Sequence, residues 1–360
     1  MKIALLTLGT RGDVQPYAVL GQALQRRGHH VTLSTAKNFE ALVRSYGIGF
    51  TPVEADFQAF METEEGKKMM KNPFRARKNL ETWVYPMINE AMTTFFKVAK
   101  ENDKVLYHIK TLADYFADQF PEKMIRANVV PAFQATKEFV NPVFSGLHLP
   151  SFLNKFSYRL SQAGIKMLDK PIQSFRRREG LPKKILRMKL PSLYGISSHY
   201  LKKPADYPTD AFFTGFWTSP TTQELDADVL QFIEAGDAPL VITFGSMPFV
   251  SGINLAAALE RITTELKIRL IVIKGWGLYD TTDLAANNAI KVVESAPYDK
   301  LFPLVKAVVH HGGIGTISAC ILAGKPFFPC PVMYPFGDQH FWSIIGQRKG
   351  IAVAPVPLKN

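Results

Sequence analysis

The sequence has 360 residues, of which 47% are hydrophobic and 21% charged, and this composition predicts a globular protein long enough for two domains. No apolar run reaches ~18 residues, so no membrane-spanning helix is predicted, and the apolar start of the chain is too short for a signal peptide. The formal net charge of +12 leaves an anionic partner open, although no nucleic-acid recognition motif accompanies it.

The first half of the chain alternates strand-like and helix-like segments. Apolar, β-rich runs occupy residues 2–8, 30–34 and 50–53, and apolar residues at helical spacing occupy residues 15–27 and 38–46. This βαβαβ order predicts a parallel sheet with helices on both faces.

Longer helical regions follow, at residues 60–100 with a break at Asn72-Pro73 and at residues 150–190. Three further strands are predicted between and after them, at residues 104–108, 129–132 and 193–197. Prolines 204, 208 and 220 then interrupt the pattern, which is typical of an interdomain linker. We therefore predict a first domain over residues 1–215 and a second over residues 216–360.

The second half restarts the alternation of strands and helices. Helices are predicted at residues 254–266 and 315–322, and strands at residues 239–244, 270–274, 290–293, 307–309 and 326–330. Two αβα domains in tandem predict a cleft between the carboxyl edges of two sheets, which is where open α/β sheets bind ligands.

A glycine-rich segment, HHGGIGT, lies at a predicted strand-to-helix junction. Gly313 and Gly315 would let the backbone approach a diphosphate closely, while His311 offers a ring N–H and Thr316 a hydroxyl and a helix cap. A dinucleotide fingerprint is the rival interpretation, and it fails because Ser318 occupies the third glycine position. The segment predicts a phosphate site.

Two other segments extend this predicted site. Asp338 and Gln339, one strand later, can hold hydroxyl groups, so the combination indicates a phosphorylated sugar. Gly245-Ser246 follows another strand and offers a second phosphate contact, or a plain structural turn.

Asp13, directly after the first strand, is a candidate general base. It could take a proton from an acceptor hydroxyl if partial burial raised the pKa of its carboxyl, whereas pairing with Arg11 would oppose that rise. Capping the following helix is the alternative role for Asp13. His108, at the end of a strand, could orient Asp13 or the acceptor, or could be a satisfied polar residue.

Residues 155–189 are strongly basic, with eleven Lys and Arg against two acids, and apolar side chains interleave with them. A solvated helix face with a buried stripe and a contact with an anionic membrane surface both fit this pattern. Asp226-Ala227-Asp228 resembles a metal-binding DxD triplet, but its place at a helix start favours a surface cap. Cys320 and Cys330 are expected to be reduced thiols of a cytoplasmic protein, and no metal site is expected.

The chain resembles the nucleotide-sugar glycosyltransferases of the GT-B fold, in the branch that includes sterol glucosyltransferases and the glycosyltransferases of antibiotic biosynthesis. The resemblance covers nearly the whole chain and is carried by LGTRGDVQPYAVLGQAL (8–24), FRRREGLP (175–182), TGFW (214–217), TFGSM (243–247), HHGGIGT (310–316) and PFGDQHFW (335–342).

This resemblance implies two Rossmann-like αβα domains facing each other across a cleft, the first binding the acceptor and the second a UDP-sugar. Asp13 would be the base, with His108 beside it. His311 would contact the α-phosphate, whereas Thr316, Ser246 and the backbone near Gly315 would serve the β-phosphate. The full donor site expected by position comprises Thr10, Arg11, Gly12, Gly245, Ser246, Pro297, Tyr298, His311, Gly313, Gly315, Thr316, Asp338 and Gln339.

The sequence departs from the family at two places. Tyr298 stands where the family often has histidine, and the closing C-terminal helix of the family is expected to be absent after residues 351–356. Tyrosine can still stack or form hydrogen bonds, so the region expected to contact the nucleotide base would differ in chemistry more than in position.

The resemblance implies an inverting, metal-independent hexosyltransferase with no cofactor, whose expected donor is UDP-glucose. The acceptor is expected to be an apolar molecule with a hydroxyl, such as a sterol, lipid, polyketide or phenol, with peripheral membrane contact through residues 155–189. A non-catalytic nucleotide-sugar or lipid-binding module and a UDP-sugar epimerase are the alternatives.

Overall fold

The computed structural model describes residues 1–54, 63, 80–245, 255–275, 284 and 287–358. The chain forms two compact units: the first consists of Met1–Thr136 with Lys155–Trp217, and the second of Lys137–Asn154 with Thr218–Asn360. The change of unit after Trp217 lies two residues from the boundary predicted at residue 215. The assignment of Lys137–Asn154 to the second unit differs from the prediction.

The first unit is built on a seven-stranded sheet with the order β3-β2-β1-β4-β5-β6-β7, and every neighbouring pair is parallel. The strands are β1 (Lys2–Leu6), β2 (His30–Ala36), β3 (Gly49–Val53), β4 (Lys104–Tyr107), β5 (Met124–Asn128), β6 (Ser192–Tyr194) and β7 (Ala211–Phe213). Its helices are α1 (Arg11–Arg26), α2 (Glu40–Ser45), α3 (Tyr85–Glu101), α4 (Asn154–Ile165, beginning at the last residue of the second unit's segment) and α5 (Asp169–Arg178).

The two faces of this sheet bury separate apolar layers. Successive strand residues point to opposite faces, so Leu6 packs with the α3 and α5 side while Leu5 packs with the α1 and α2 side. A parallel sheet covered on both faces follows from this pattern.

The second unit has a five-stranded parallel sheet with the order β10-β9-β8-β11-β12. Its strands are β8 (Leu240–Thr243), β9 (Leu270–Ile273), β10 (Ile290–Val293), β11 (Ala307–His310) and β12 (Phe327–Pro329). Its helices are α6 (Ala227–Glu234), α7 (Leu255–Leu266), α8 (Tyr298–Leu301), α9 (Ile314–Leu322) and α10 (Gln339–Arg348).

Lys137–Asn154 packs inside the second unit against the loop before α10. The Tyr334 hydroxyl donates to the carbonyl of Gly146 at 3.1 Å, and the N–H of Gly337 donates to the carbonyl of Val143 at 2.9 Å. The rings of Phe139 and Phe341 lie 5.1 Å apart. This segment is irregular or 3₁₀ in backbone, so no periodic pattern in the sequence indicated its partner.

Several predicted elements shift in the structure. The fifth strand is β5, upstream of the predicted residues 129–132, because Pro131 has no N–H for a ladder and the charged Arg126 hides the strand pattern. The predicted helix 150–190 ends at Arg178. The helix start predicted at Asp226-Ala227-Asp228 is the start of α6, whereas β7, α8 and α10 were not predicted as elements. Among the described helices, none combines the length and apolarity needed to cross a bilayer.

Two minor predictions can also be compared with the structure. Cys320 and Cys330 are buried free thiols, in agreement with the composition. Asp226 is the N-cap residue of α6 and Asp228 is ion-paired with Lys291, so the DxD triplet lies at a helix start. Within the described ranges, no three His, Cys, Asp or Glu side chains gather as a metal ligand set.

One basic side chain of the strongly basic stretch, residues 155–189, is fully buried. The guanidinium of Arg176 forms two hydrogen bonds of 3.0 Å with the carboxylate of Asp118, and the two side chains are 0% and 2% exposed. Arg176 Nε also donates to the carbonyl of Pro182 at 2.8 Å, which ties the chain after α5 to the helix. A paired, bidentate arginine of this kind is a structural element of the first unit.

Arg176→Met should therefore destabilise the protein by about 3–5 kcal/mol, because it leaves the buried Asp118 carboxylate without its partner. Urea denaturation would measure the free energy of unfolding. The matched control is Arg177→Met, at an exposed position next in sequence, which should change stability by less than about 0.5 kcal/mol. Equal losses from both variants would show that the buried pair has no special weight.

Candidate active site

Asp13 is the third residue of α1, just beyond the carboxyl end of β1. Thr10, and not Asp13, is the N-cap residue of this helix. Asp13 Oδ2 accepts a hydrogen bond from the N–H of Thr10 at 2.9 Å, which is the reciprocal half of a capping box. Gly9, with a φ of +136°, lies so close that a Cβ there would overlap the Asp13 carboxylate. The capping role therefore holds the carboxylate in place without burying it completely.

The neighbouring strand brings two further polar groups to Asp13. β1 pairs with β4 in the register Leu6–Tyr107, so the residues after both strands meet at one edge. Lys110 Nζ lies 2.6 Å from Asp13 Oδ1, and the N–H of Lys110 donates to Nδ1 of His108 at 3.4 Å. Arg11, the pairing partner considered from the sequence, instead donates from Nε to Gln15 at 3.1 Å.

These contacts decide the charges at this edge. Burial acts to raise the pKa of the Asp13 carboxyl, but the charge of Lys110, the charge of His108 once it is protonated at low pH, and the hydrogen bonds from Lys110 and Thr10 outweigh burial and hold that pKa below its usual value. The raised pKa envisaged from the sequence is therefore wrong in direction. Burial, with the charge of Lys110, lowers the pKa of His108 to about 4, so its imidazole is neutral at pH 7.

In the second unit, β11 leads into the loop His311–Gly313 and then α9. The N-cap residue of α9 is Gly313, so Thr316 is the third residue of the helix and not its cap, as the sequence had suggested. Thr316 is 7% exposed. The first N–H groups of α9 have no intrahelical acceptor, and together with the helix dipole they favour an anion at this end.

Glycines surround the ring of His311. A Cβ on Gly313 would overlap its Nε2 atom, and a Cβ on Gly245 would lie 3.3 Å from its Cε1 atom. Gly245, after β8, and Gly312 have φ values of +59° and +89°, a region that favours glycine. The ring is therefore held between the loops that follow two adjacent strands. Ser246 lies outside the described residues.

His310, which the sequence analysis did not single out, shapes this loop. It is fully buried, and its Nδ1 accepts a hydrogen bond from the N–H of Gly312 at 2.9 Å. Burial lowers the pKa of His311 to about 4, so this ring is neutral at pH 7 and can donate an N–H without a positive charge. His311 Nδ1 and His310 Nε2 are buried with no partner among the described residues. The doubled histidine before the glycines was the available signal.

The Asp338-Gln339 pair begins α10 beside the same loop. Gln339 Oε1 accepts hydrogen bonds from the N–H groups of Val332 and Met333 at 2.8 and 2.9 Å, so its amide nitrogen is the end suited to a ligand. Asp338 Oδ2 accepts from Trp342 Nε1 at 3.0 Å. A Cβ on Gly312 would lie 2.9 Å from the carbonyl oxygen of Gln339, which places the start of α10 against the His311 loop.

Tyr298 occupies the first position of α8, after the N-cap residue Pro297. Its hydroxyl lies 3.0 Å from Thr243 Oγ1 at the end of β8, and its ring stacks on Phe302 with centroids 4.5 Å apart. Both polar and aromatic capacities of Tyr298 are therefore engaged within the second unit.

The expected site residues fall into two groups. Thr10, Arg11, Gly12, Asp13 and His108 lie around the β1 and β4 ends in the first unit. The second unit holds the other described members near the ends of β8 and β11 and at the starts of α8, α9 and α10, namely Gly245, Pro297, Tyr298, His311, Gly313, Gly315, Thr316, Asp338 and Gln339. Lys110 is the residue of this region that sequence reasoning missed, since nothing in VLYHIK distinguishes it from a surface lysine.

Comparison with known proteins finds similarity along nearly the whole chain. Residues 3–139 match the glycosyltransferase family 28 N-terminal domain. A sterol 3-beta-glucosyltransferase of Arabidopsis thaliana, UGT80B1, is 28% identical over 99% of this chain and 60% of its own length. The chain thus spans less than two thirds of that relative.

Solved structures agree on the fold. The glycosyltransferase of kitacinnamycin matches with a TM-score of 0.70 at 15% identity, covering 99% of this chain and 86% of its own. The glycosyltransferase VinC, solved with DTDP, matches with a TM-score of 0.63 at 16% identity and covers 99% and 87% of the two chains. The two parallel α/β units therefore have the GT-B fold.

Buried neutral histidines should make the stability of the protein depend on pH. For His108 and His311 the folded pKa is about 4 against an ordinary 6.5, so the unfolded chain binds more protons between these values. The free energy of unfolding should therefore fall as pH drops from 6.5 to 4, by up to about 3 kcal/mol for each histidine.

Urea denaturation at a series of pH values would measure this effect. His311→Asn should flatten the fall, whereas His199→Asn, at an exposed position, should leave it unchanged. A fall of the same steepness in the His311 variant would contradict the assignment of a buried neutral ring.

Proposed function

We propose that this chain transfers a hexose from a nucleotide-sugar to a hydroxyl of an apolar acceptor. Residues 3–139 match the glycosyltransferase family 28 N-terminal domain, and the chain is 28% identical to a sterol 3-beta-glucosyltransferase. The observation that carries the proposal is the His311 loop. It places a histidine N–H, two glycine backbones and the N-terminus of α9 at one point, beside Asp338 and Gln339.

This loop suits a nucleoside diphosphate. His311 is neutral, so the negative charge of the diphosphate is met by N–H donors and by the dipole of α9, a nine-residue helix. Thr316 adds a hydroxyl one turn into that helix, and Gly315 leaves open space above the backbone. A site of this kind supports departure of the diphosphate without a metal ion.

The sugar and the nucleotide follow from the neighbours of the loop. We propose that the hexose hydroxyls bind to the Asp338 carboxylate and to the amide nitrogen of Gln339. The amide oxygen of Gln339 already accepts two backbone hydrogen bonds, so the nitrogen is the end that faces a ligand. Glucose is the proposed hexose, because UGT80B1 is a glucosyltransferase. UDP is the proposed nucleotide. Thymidine diphosphate is the alternative, since VinC was solved with DTDP.

In the proposed reaction, the acceptor oxygen attacks the anomeric carbon from the face opposite the diphosphate. The new C–O bond forms as the bond to the phosphate oxygen breaks, so the configuration inverts and the diphosphate leaves with the bonding electrons. The acceptor proton passes to Asp13, which is ionised above its lowered pKa. The acceptor class proposed is a sterol or similar apolar alcohol, as in UGT80B1.

An exposed face of α4 supports a role at a membrane surface. Tyr158 on the inner face is 1% exposed, whereas Phe156 and Leu160 are 48% and 42% exposed, and Met167 in the next turn is 40% exposed. Arg159 and Lys166 lie exposed beside this stripe. An apolar stripe flanked by basic side chains fits the surface of an anionic bilayer. The enzyme would take its apolar acceptor from that bilayer.

Asp13→Asn should lower turnover about 100-fold or more while leaving UDP affinity unchanged, because the amide cannot take the acceptor proton. His311→Ala should instead weaken UDP binding about tenfold, since it removes an N–H donor at the phosphate. Calorimetric titration of UDP and thymidine diphosphate, with EDTA and then with magnesium, would measure binding, and product analysis with a sterol acceptor would measure turnover.

Full turnover in the Asp13 variant would exclude it as the base. Release of an epimer or of free sugar without acceptor would identify an epimerase or a hydrolase. Nucleotide binding with no turnover towards any sterol, phenol or polyketide acceptor would favour the binding module.

Phe156→Ser with Leu160→Ser should reduce binding to phosphatidylcholine vesicles that contain phosphatidylserine, because the apolar stripe is lost. The matched control is Leu266→Ser with Leu322→Ser, two leucines that are 64% and 67% exposed in the second unit. Flotation would measure binding, and Arg159→Glu with Lys166→Glu should weaken it about tenfold or more at low salt. Equal binding by all variants would contradict this surface.

A further inference from the structure

Lys110 has no part in the mechanism above, yet its ammonium group lies 2.6 Å from Asp13 Oδ1. The Lys110 side chain is 53% exposed, whereas the Asp13 side chain is only 14% exposed. A largely solvated ammonium group therefore pairs with a carboxylate that is mostly shielded from solvent. The backbone of Lys110 lies in the 3₁₀ turn Ile109–Thr111, tied to His108 through its N–H. Its position is therefore set by the end of β4.

The two oxygens of Asp13 are held in different ways. Oδ2 accepts from the N–H of Thr10, a backbone contact of the capping box that cannot leave while α1 keeps its first turn. Oδ1 accepts from Lys110, at the tip of a long and exposed side chain that can move aside at little cost. Oδ1 is thus the oxygen suited to receive a proton, and Lys110 occupies it.

Few other charges act on this carboxylate within the described part of the chain. His108, at the end of β4, is neutral at pH 7 because burial lowers its pKa to about 4. Tyr17 of α1 is neutral too, because burial and the Asp13 charge raise its pKa well above the usual value. Arg11 donates to Gln15. Among the described residues, Lys110 is the cation that faces Asp13 from the turn after β4.

We propose that Lys110 is a positioning residue for the reaction: it keeps Asp13 ionised and aligned before the acceptor arrives, and it yields Oδ1 to the acceptor hydroxyl. The inference rests on the proposed glycosyl transfer. It implies that Lys110 sets the pH below which the enzyme loses its base, because the ion pair disfavours protonation of Asp13.

The test compares Lys110→Met with Lys110→Arg in the full chain. In Lys110→Met the acid limb of the kcat/KM profile should move to higher pH by about one unit, because an opposite charge beside the carboxylate has been removed. Lys110→Arg should keep the wild-type limb. Lys37→Met is the matched control, since Lys37 forms an exposed ion pair with Glu54 in the same unit. UDP affinity should be unchanged in all three.

A second measurement does not depend on turnover. The carboxyl carbon of Asp13, labelled with ¹³C and assigned by its loss in Asp13→Asn, should titrate about one unit higher in Lys110→Met than in the wild type. An acid limb and an Asp13 titration that both stay in place would overturn the inference. A shifted titration in a protein without glycosyl transfer would refute the proposed function and the catalytic use of Lys110, leaving only the ion pair.

Discussion

Parallel pairing of neighbouring strands is the constraint that sets both groups of candidate residues, one in each unit. In a parallel sheet all strands end at the same edge, so segments far apart in sequence meet where adjacent strands stop. β1 beside β4 brings the start of α1 to the turn after Tyr107. β8 beside β11, in the register Thr243–His310, brings Gly245 to His311. The side chains at these ends are polar or small, while the strands themselves are buried and apolar.

The carboxyl edges of the two sheets differ in their electrostatics. In the first unit a carboxylate must remain ionised despite partial burial, and a nearby ammonium and a helix N-terminus stabilise that charge. In the second unit the buried histidines are neutral, so the loop presents hydrogen-bond donors and a helix dipole with no fixed cation. A polar loop without a permanent charge suits a ligand that brings its own negative charge and leaves with it.

The segment Lys137–Asn154 adds a connection that strand order does not provide. It comes from the first half of the sequence, and its partners are the loop and helix that carry Asp338 and Gln339. A Cβ on Gly146 would lie 2.6 Å from the carbonyl oxygen of Pro335, so the approach of the two segments requires a glycine at this position. The loop that leads to Asp338 and Gln339, the residues expected to bind the sugar, is therefore supported by residues almost two hundred positions earlier in the chain.

The alternation of strands and helices, the glycine loop at His311 and the acid–amide pair were predictable from the amino-acid sequence, because hydrophobic periodicity and the positions of glycine and proline are local signals. The sequence alone did not indicate which groups meet. Arg176 resembles its basic neighbours in sequence but is buried against Asp118, and Lys110 reaches Asp13 across 97 positions. These pairings, and the charges that follow from them, become visible in the folded chain, since burial and long-range contacts shift pKa values and no short segment encodes either of them.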